Sequence, residues 1–278
     1  MKKLTFLLTA SLTFLSLSIG RYSLSTNECP PAAQLKDEES SVYCWLKAKQ
    51  PESLDQLMEN FKDNNHRVWK KPNLLPSNIR LQSLEKVTSE ELKARGLDEN
   101  KSYYKGVTWM KKDFENKARQ AIEKNQGILE YSNYIWLTPI SQTQPFCQTC
   151  KGSLSNSQFS PLVITRLRLI QYLGLPLENP DRTHFVTIIA KDSDIIRPCL
   201  DQQIDDDRCN SPKSQQEKTN FMENNPGLIG DAYPWTALGY TYDWGGQTEN
   251  VGASEYVIKP NATVFIESVK TTKDFCQR

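Results

Sequence analysis

The chain has 278 residues, of which 34 are lysine or arginine and 33 are aspartate or glutamate, so its formal net charge is +1. This balance shows neither the basic excess that would indicate a nucleic-acid partner nor the acidic excess that would indicate a cationic partner. A charged fraction of 24% with 10% aromatic residues is typical of a folded globular protein. We therefore expect a folded protein without a nucleic-acid partner.

The first twenty residues have the pattern of a secretory signal peptide. Lys2 and Lys3 precede the uncharged run LTFLLTASLTFLSLSI, and the small residues Ser18 and Gly20 suit a processing site. The run is shorter than the roughly 20 residues that a membrane-spanning helix needs. We predict a signal peptide over residues 1–20 with cleavage near Gly20. The mature protein is then secreted or periplasmic and has no transmembrane segment.

All seven cysteines follow this leader, and in an exported chain the default is disulfide pairing. An odd number leaves one cysteine over. We predict the pairs Cys29–Cys44 and Cys199–Cys209, because each closes a loop of moderate length.

Cys147 and Cys150 form a CxxC motif with several possible roles. The pair can be a redox dithiol, a local disulfide, or two cysteines that bridge to partners elsewhere. The motif follows Pro145 and precedes the polar run KGSLSNS, so we expect it in a loop, in a structural role. With only two histidines in the chain, we predict no metal site. Gly239, Gly245 and Gly246 fit neither a P-loop nor the dinucleotide-binding fingerprint, and we predict no cofactor.

The N-terminal half contains two helix signals. One helix is predicted by an apolar stripe of Leu54, Leu57, Met58 and Phe61. It is predicted to begin at a capping box formed by Ser53 and Gln56. A loop-like stretch follows over residues 64–83. Thr88 and Glu91 form another capping box ahead of a short helix that ends at Gly96.

The central part alternates predicted helices and strands. The strongest long helix is predicted over residues 108–125, and a second one begins at Ser160-Pro161 and ends near Gly174. Strands are predicted at 134–139 and at 185–190, the latter apolar enough for a central position. Residues 191–232 read as loop. Its acidic triplet, Asp205 to Asp207, lacks the ligand spacing of a calcium loop, so we expect it to be solvated.

The C-terminal part is predicted to form strands. Tyr240, Tyr242 and Trp244 alternate with polar residues, so in a strand the three rings share one face. Two further strands, at 253–258 and 263–269, complete an antiparallel meander. The fold class predicted is therefore α+β, with helices mainly N-terminal and central, a C-terminal antiparallel β-meander, and stabilising disulfides. The domains predicted are the signal peptide, a loop-rich N-terminal extension with short helices at 21–105, and an α+β domain at 106–278.

Glu255 is the candidate catalytic residue. If the first two C-terminal strands form a hairpin with Trp244 opposite Ala253, Tyr242 lies opposite Glu255, and the surrounding rings raise the pKa of its carboxyl and suit it to proton transfer. A slip of one residue sets Asp243 beside Glu255 instead. The alternative is that the rings are core and Glu255 is a carboxylate with an ordinary structural partner.

The segment that begins at Glu255 and reads EYVIKPNATVFI resembles the region around the catalytic glutamate of ADP-ribosyltransferases. In that family the glutamate begins a hydrophobic strand, a turn with Pro or Gly follows, and another strand closes the sheet. The resemblance implies that Glu255 acts at the ribose of NAD, with Arg197 or Arg166 as candidates to hold the pyrophosphate. Ala253 departs from the Glu or Gln common two positions before the glutamate, and no Ser-Thr-Ser segment stands at an appropriate distance upstream.

Three functions follow from these observations. The leading hypothesis is an exported protein that binds a small molecule, glycan or peptide in an aromatic-lined pocket beside the C-terminal strands, because Tyr and Trp present flat apolar faces with polar edges. The pocket residues predicted are Tyr240, Tyr242, Asp243 and Trp244, with Arg197 and Arg166 as further candidates. The alternatives are a secreted enzyme that uses Glu255, in its specific form ADP-ribosyltransferase-like or NAD-cleaving, and a structural envelope-associated protein.

Overall fold

The structure is a computed structural model, and it describes most of the chain after the leader. The described residues are 29, 31–35, 41–70, 76, 79–150, 159–177, 182–200, 202–209, 215–224, 234, 236–246 and 249–277. The predicted signal peptide and its cleavage site lie outside them. Within them, no helix has the length and apolar character needed to cross a membrane.

The helices are distributed over the whole described chain. They are α1 (Val42–Lys49), α2 (Pro51–Lys70), α3 (Ser89–Ala94), α4 (Lys112–Lys124), α5 (Ile140–Thr149), α6 (Pro161–Tyr172), α7 (Gln215–Asn224) and α8 (Thr272–Phe275).

The strands alternate with these helices and dominate the C-terminal part. They are β1 (Glu85–Lys86), β2 (Tyr103–Lys111), β3 (Ile128–Tyr131), β4 (Ile135–Leu137), β5 (Arg182–Lys191), β6 (Ile195–Ile196), β7 (Tyr240–Tyr242), β8 (Val251–Ser254), β9 (Tyr256–Ile258) and β10 (Ala262–Thr271).

Antiparallel pairing assembles the described strands into three sheets. The largest has the order β1-β2-β5-β10-β3, a second has the order β4-β9-β6, and β7 pairs with β8. The α+β class with antiparallel C-terminal strands is confirmed. The C-terminal strands nevertheless pair with different neighbours, since β9 lies between β4 and β6 while β10 lies between β5 and β3.

The central strand β5 separates two large apolar clusters. Phe185 belongs to the cluster formed with α1, α2 and α6, whereas Val186 and Ile188 belong to the cluster formed with α4, β4 and β9. This follows from the alternation of side chains along a strand. The first cluster contains Trp45 and Leu46, so the predicted N-terminal extension contributes to the main core. The boundary predicted between residues 105 and 106 falls inside β2.

Several helix predictions are confirmed at their caps. Thr88 and Glu91 form the reciprocal capping box of α3. The hydroxyl of Ser160 caps α6 by accepting a hydrogen bond from the backbone of Val163, with Pro161 in the first turn. Residues 185–190 lie in the central strand β5, as their apolar character predicts.

Other predicted boundaries are wrong. Residues 108–111 belong to β2, where they pair with β5, and α4 begins only at Lys112. The helix predicted from Ser53 begins at Pro51 and continues to Lys70, through the start of the expected loop. A helix, α7, also occupies part of the segment predicted as loop.

The structure contains three disulfides, with all seven cysteines among the described residues. Two are the predicted pairs Cys29–Cys44 and Cys199–Cys209, and the third joins Cys147 to Cys276. A local Cys147–Cys150 disulfide is therefore wrong, and the CxxC motif lies at the end of α5 and not in a loop.

Cys150 takes part in none of the three disulfides. Its thiol donates to the carbonyl of Phe146 at 3.1 Å, and burial raises its pKa to about 11. Because the thiolate is the reactive form of cysteine, this environment opposes redox catalysis at the motif.

Candidate functional site

The three aromatic residues predicted to line a pocket fill the interior instead. Tyr240 is 1% exposed, Trp244 is 4% exposed and Tyr242 is equally buried. The hydroxyl of Tyr240 donates to the carbonyl of Pro76 at 2.9 Å, and the indole N–H of Trp244 donates to the carbonyl of Leu175 at 3.0 Å. The described residues therefore form no open aromatic pocket at these rings.

The hairpin of β7 and β8 has a different register from the predicted one. Tyr240 pairs with Ser254 and Tyr242 pairs with Val251, with an irregularity between the two pairs. Neither Tyr242 nor Asp243 therefore lies opposite Glu255, and the register prediction is wrong.

Asp243 has a partner that the sequence patterns did not indicate. Its carboxylate accepts hydrogen bonds from both terminal nitrogens of Arg168 on α6, at 2.8 Å and 3.2 Å, and one from the backbone of Gly245 at 3.0 Å. This buried bidentate pair joins the hairpin to α6. Asp243 is thus committed to a structural contact.

Arg197 is completely buried beside the Cys199–Cys209 loop. Its guanidinium pairs with the carboxylate of Asp206 and donates to the carbonyl of Arg208 at 2.9 Å and to the hydroxyl of Tyr256 at 3.0 Å. The planar guanidinium, with its several N–H donors, thereby holds the loop closed by Cys199 and Cys209. Arg197 is therefore not available in this structure to grip a pyrophosphate.

Arg166 lies elsewhere. It is a buried residue of α6 and borders a recess together with Trp109, Leu177 and Arg182, among others. Trp109 and Leu177 belong to the first large cluster, whereas Glu255 adjoins β9. The structure thus places Arg166 at this recess, whereas Arg197 contacts Tyr256, the residue that follows Glu255.

Glu255 differs from these residues because one oxygen of its buried carboxyl has no hydrogen-bond partner in the described part of the chain. The side chain is buried at 5% exposure, and Oε1 has no hydrogen-bond partner among the described residues. Burial alone raises the pKa of the carboxyl to about 8. At neutral pH the group is mostly protonated, and it can therefore donate a proton or a hydrogen bond.

The backbone on either side of Glu255 fixes the direction of its side chain. The hydroxyl of Ser254 accepts from the backbone N–H of Gln82 at 2.8 Å, and the hydroxyl of Tyr256 donates to the carbonyl of the same residue at 2.9 Å. Ser254 and Tyr256 therefore point to one face. Side chains alternate along a strand, so Glu255 points to the opposite face, which it shares with Val257.

That opposite face carries a second group of aromatic side chains. Val257 pairs with Trp136 of β4 and packs with Ala237. Four half-buried apolar side chains lie against these two buried residues, namely Tyr134, Trp136, Ile196 and Leu200. The sequence analysis predicted a strand here. The sequence feature that indicates this aromatic face is the spacing of Tyr134 and Trp136, which are two residues apart.

The turn that runs past Glu255 has an unusual backbone. The N–H of Glu255 donates to the carbonyl of Gly239 at 2.9 Å. Gly239 has φ +73°, and a Cβ there would come within 2.8 Å of both Arg197 and Leu81. Ala237, two residues earlier, has φ +59°. Residues held in this region are strained and often accompany functional sites.

No known protein family matches the sequence, and no curated protein or solved structure is significantly similar to the chain. The described residues include no group of three or more His, Cys, Asp or Glu side chains able to hold a metal ion. Glu255 directly precedes β9, a turn containing Pro260 follows, and β10 comes next, but β10 does not close the sheet of β9 as the resemblance implies. The two strands belong to different sheets.

Proposed function

We propose that the protein is exported and acts as an enzyme in which Glu255 is the catalytic carboxyl. The observation that carries the proposal is the buried carboxyl of Glu255, whose Oε1 has no partner among the described residues. The signal-peptide pattern of residues 1–20 and the three disulfides support export to an oxidising compartment.

The energetic cost of this arrangement supports a functional role. Leaving a buried polar group without a partner costs about 1–3 kcal/mol, and more for a charged group. The buried carboxyls of Asp243 and Glu115, in contrast, are each paired with an arginine. Asp243 pairs with Arg168, and Glu115 pairs with Arg119. A carboxyl with a strongly shifted pKa and no structural partner is a candidate for proton transfer.

The specific reaction proposed is NAD cleavage or ADP-ribosyl transfer. The resemblance of the segment from Glu255 through β10 to ADP-ribosyltransferases supports it, together with the position of Glu255 immediately before β9. Glu255 would act at the ribose as the bond to nicotinamide breaks. Because Arg197 is engaged by Asp206, the pyrophosphate would need another contact.

This proposal is tested by nicotinamide release from NAD with the full mature chain. We expect the Glu255→Gln variant to lose at least about a hundredfold in kcat, the usual contribution of acid–base catalysis. Glu130→Gln, at an exposed carboxylate on β3, is the matched control and should keep wild-type turnover. Wild-type turnover no greater than that of Glu255→Gln would rule out the NAD reaction.

The second candidate is a protein that binds a small molecule, glycan or peptide at Glu255 without chemistry. One observation favours it: no charged side chain contributes to the pKa shift of Glu255, so a second acid–base group is not apparent beside it among the described residues. Binding that persists in a wild-type protein without turnover would support this function. Absence of both binding and turnover would leave the structural, envelope-associated role.

A further inference from the structure

A partly exposed apolar surface lies on the face toward which Glu255 points. We call it the β4–β9 wall and define it by Tyr134, Trp136, Ile196 and Leu200, which pack against Ala237 and Val257. All four defining side chains are half-buried, so part of each remains accessible. Val257 lies two residues from Glu255, so the alternation of side chains places the carboxyl on the same face as the wall.

Two basic residues, Arg197 and Lys259, lie close to the strand that follows Glu255, and each has another partner. Arg197 lies on the Tyr256 side of the strand, where its guanidinium stands 5.2 Å from the centre of that ring and pairs with Asp206. Lys259, at the end of β9, is exposed and donates to the carbonyl of Ser193 at 2.8 Å. Neither contributes to the pKa shift of Glu255. Oε1 of Glu255 is buried without a hydrogen-bond partner among the described residues, which leaves it able to pair with a cationic ligand.

We propose that the β4–β9 wall binds the flat ring of an organic cation whose positive charge pairs with the carboxylate of Glu255. Aromatic faces attract cations, most strongly those of Trp, and the attraction grows when the pair is shielded from water. A buried carboxylate stabilises a desolvated cation for the same reason. The proposal rests on Glu255 being the functional carboxyl of the proposed function and adds the class of ligand that it recognises.

Binding of such a cation has a consequence that a neutral ligand would not have. With its pKa raised to about 8, Glu255 is mostly protonated at pH 7. Pairing with a cation stabilises the carboxylate, so a proton leaves the carboxyl as the ligand binds. A neutral ligand of the same shape leaves the carboxyl protonated and releases no proton.

The test uses phenyltrimethylammonium and its neutral isostere tert-butylbenzene as probes. Calorimetric titration of the full mature chain at pH 7, in buffers of different ionisation enthalpy, measures both affinity and protons released. We expect the cation to bind at least about tenfold more tightly than the isostere, with release of close to one proton. Equal affinity for the two probes, binding without proton release, or no binding of the cation at millimolar concentration would each overturn the proposal.

Variants separate the wall from the carboxyl. Trp136→Leu should weaken cation binding while proton release per bound ligand persists, and Glu255→Gln should abolish proton release. Ile128→Ala, at an exposed apolar residue of β3, is the control that should change neither. Unchanged affinity in a folded Trp136→Leu variant would overturn the assignment of the wall.

The outcome can be told apart from failure of the enzymatic proposal. Proton-releasing cation binding without NAD turnover would support this inference and leave the protein a binding protein. NAD turnover that depends on Glu255 without proton-linked cation binding would contradict the inference alone.

Discussion

At the scale of single residues, two buried carboxyls of the C-terminal strands show how the partner decides the role. Asp243 receives the guanidinium of Arg168 and the backbone N–H of Gly245, and it holds the hairpin to α6. Glu255 is buried to a similar degree, yet its Oε1 has no partner. Because, of these two carboxyls, Glu255 is the one with an unpartnered oxygen among the described residues, it is the group to which we assign a function.

The raised pKa of Glu255 makes a prediction about stability against pH. Between the unfolded pKa near 4.3 and the folded value of about 8, the unfolded chain loses its proton while the folded protein keeps it. The folded state is therefore destabilised, relative to Glu255→Gln, by up to about 1.4 kcal/mol for each pH unit in this window. Urea unfolding of both proteins from pH 5 to pH 9 measures the difference, which should grow with pH and level off above pH 8. Parallel curves would contradict the raised pKa.

At the scale of elements, Arg197 organises the loop closed by Cys199 and Cys209. Its side chain reaches the carboxylate and the carbonyl of Asp206, and it also contacts Tyr256 of β9. One buried guanidinium thus joins the end of β6, the acidic loop and the strand next to Glu255. The sequence patterns predicted that the acidic triplet is solvated. Arg197 instead holds Asp206 of this triplet, whereas Asp205 remains exposed.

Replacing this guanidinium should release the loop. Arg197→Lys keeps the charge but loses several hydrogen bonds of the guanidinium to buried acceptors, so we expect a loss of about 1–3 kcal/mol in the free energy of unfolding. Arg208→Lys, at an exposed side chain of the same loop, should change stability by less than about 0.5 kcal/mol. Chemical denaturation measures both. Similar stability of the two variants would show that the planar guanidinium of Arg197 does not contribute to the free energy of unfolding.

At the scale of the whole molecule, the Cys147–Cys276 disulfide joins the end of α5 to the C-terminus. The two cysteines are separated by 129 residues, against 10 for Cys199–Cys209. The larger loop contains β5, β9 and β10, so this bridge restricts nearly half of the 278-residue chain in the unfolded state. Its sulfur atoms also belong to the first apolar cluster, next to Phe275.

Loss of the long-range bridge should cost more than loss of the short one. In the chain-entropy view, a disulfide that closes a loop of this length contributes about 5 kcal/mol, and one that closes a ten-residue loop about 3 kcal/mol. We expect this order in urea unfolding of the Cys147→Ser/Cys276→Ser and Cys199→Ser/Cys209→Ser variants. Both should carry Cys150→Ser, which prevents exchange with the remaining thiol. The reverse order would show that local strain or packing outweighs loop entropy.

The sequence by itself determined the features that depend on near neighbours. The capping box of Thr88 and Glu91, the Ser160 cap and the apolar run of β5 are patterns within a few residues, so they are legible without the fold. The two short-range disulfides belong to the same class, since their cysteines stay close even in an unfolded chain. The sequence also predicts Glu255 as the candidate catalytic residue, and the leader predicts export.

The tertiary structure alone decided the features that depend on residues far apart in the chain. Residues 108–111 have a helical pattern but form a strand because β5, more than 70 residues later, provides their hydrogen-bond partners. Likewise, the burial of Tyr242 and Trp244, the partner of Cys147 and the face toward which Glu255 points all follow from long-range packing. Periodicity gives the relative directions of neighbouring side chains, but only the assembled sheets decide which face is buried and which stays accessible.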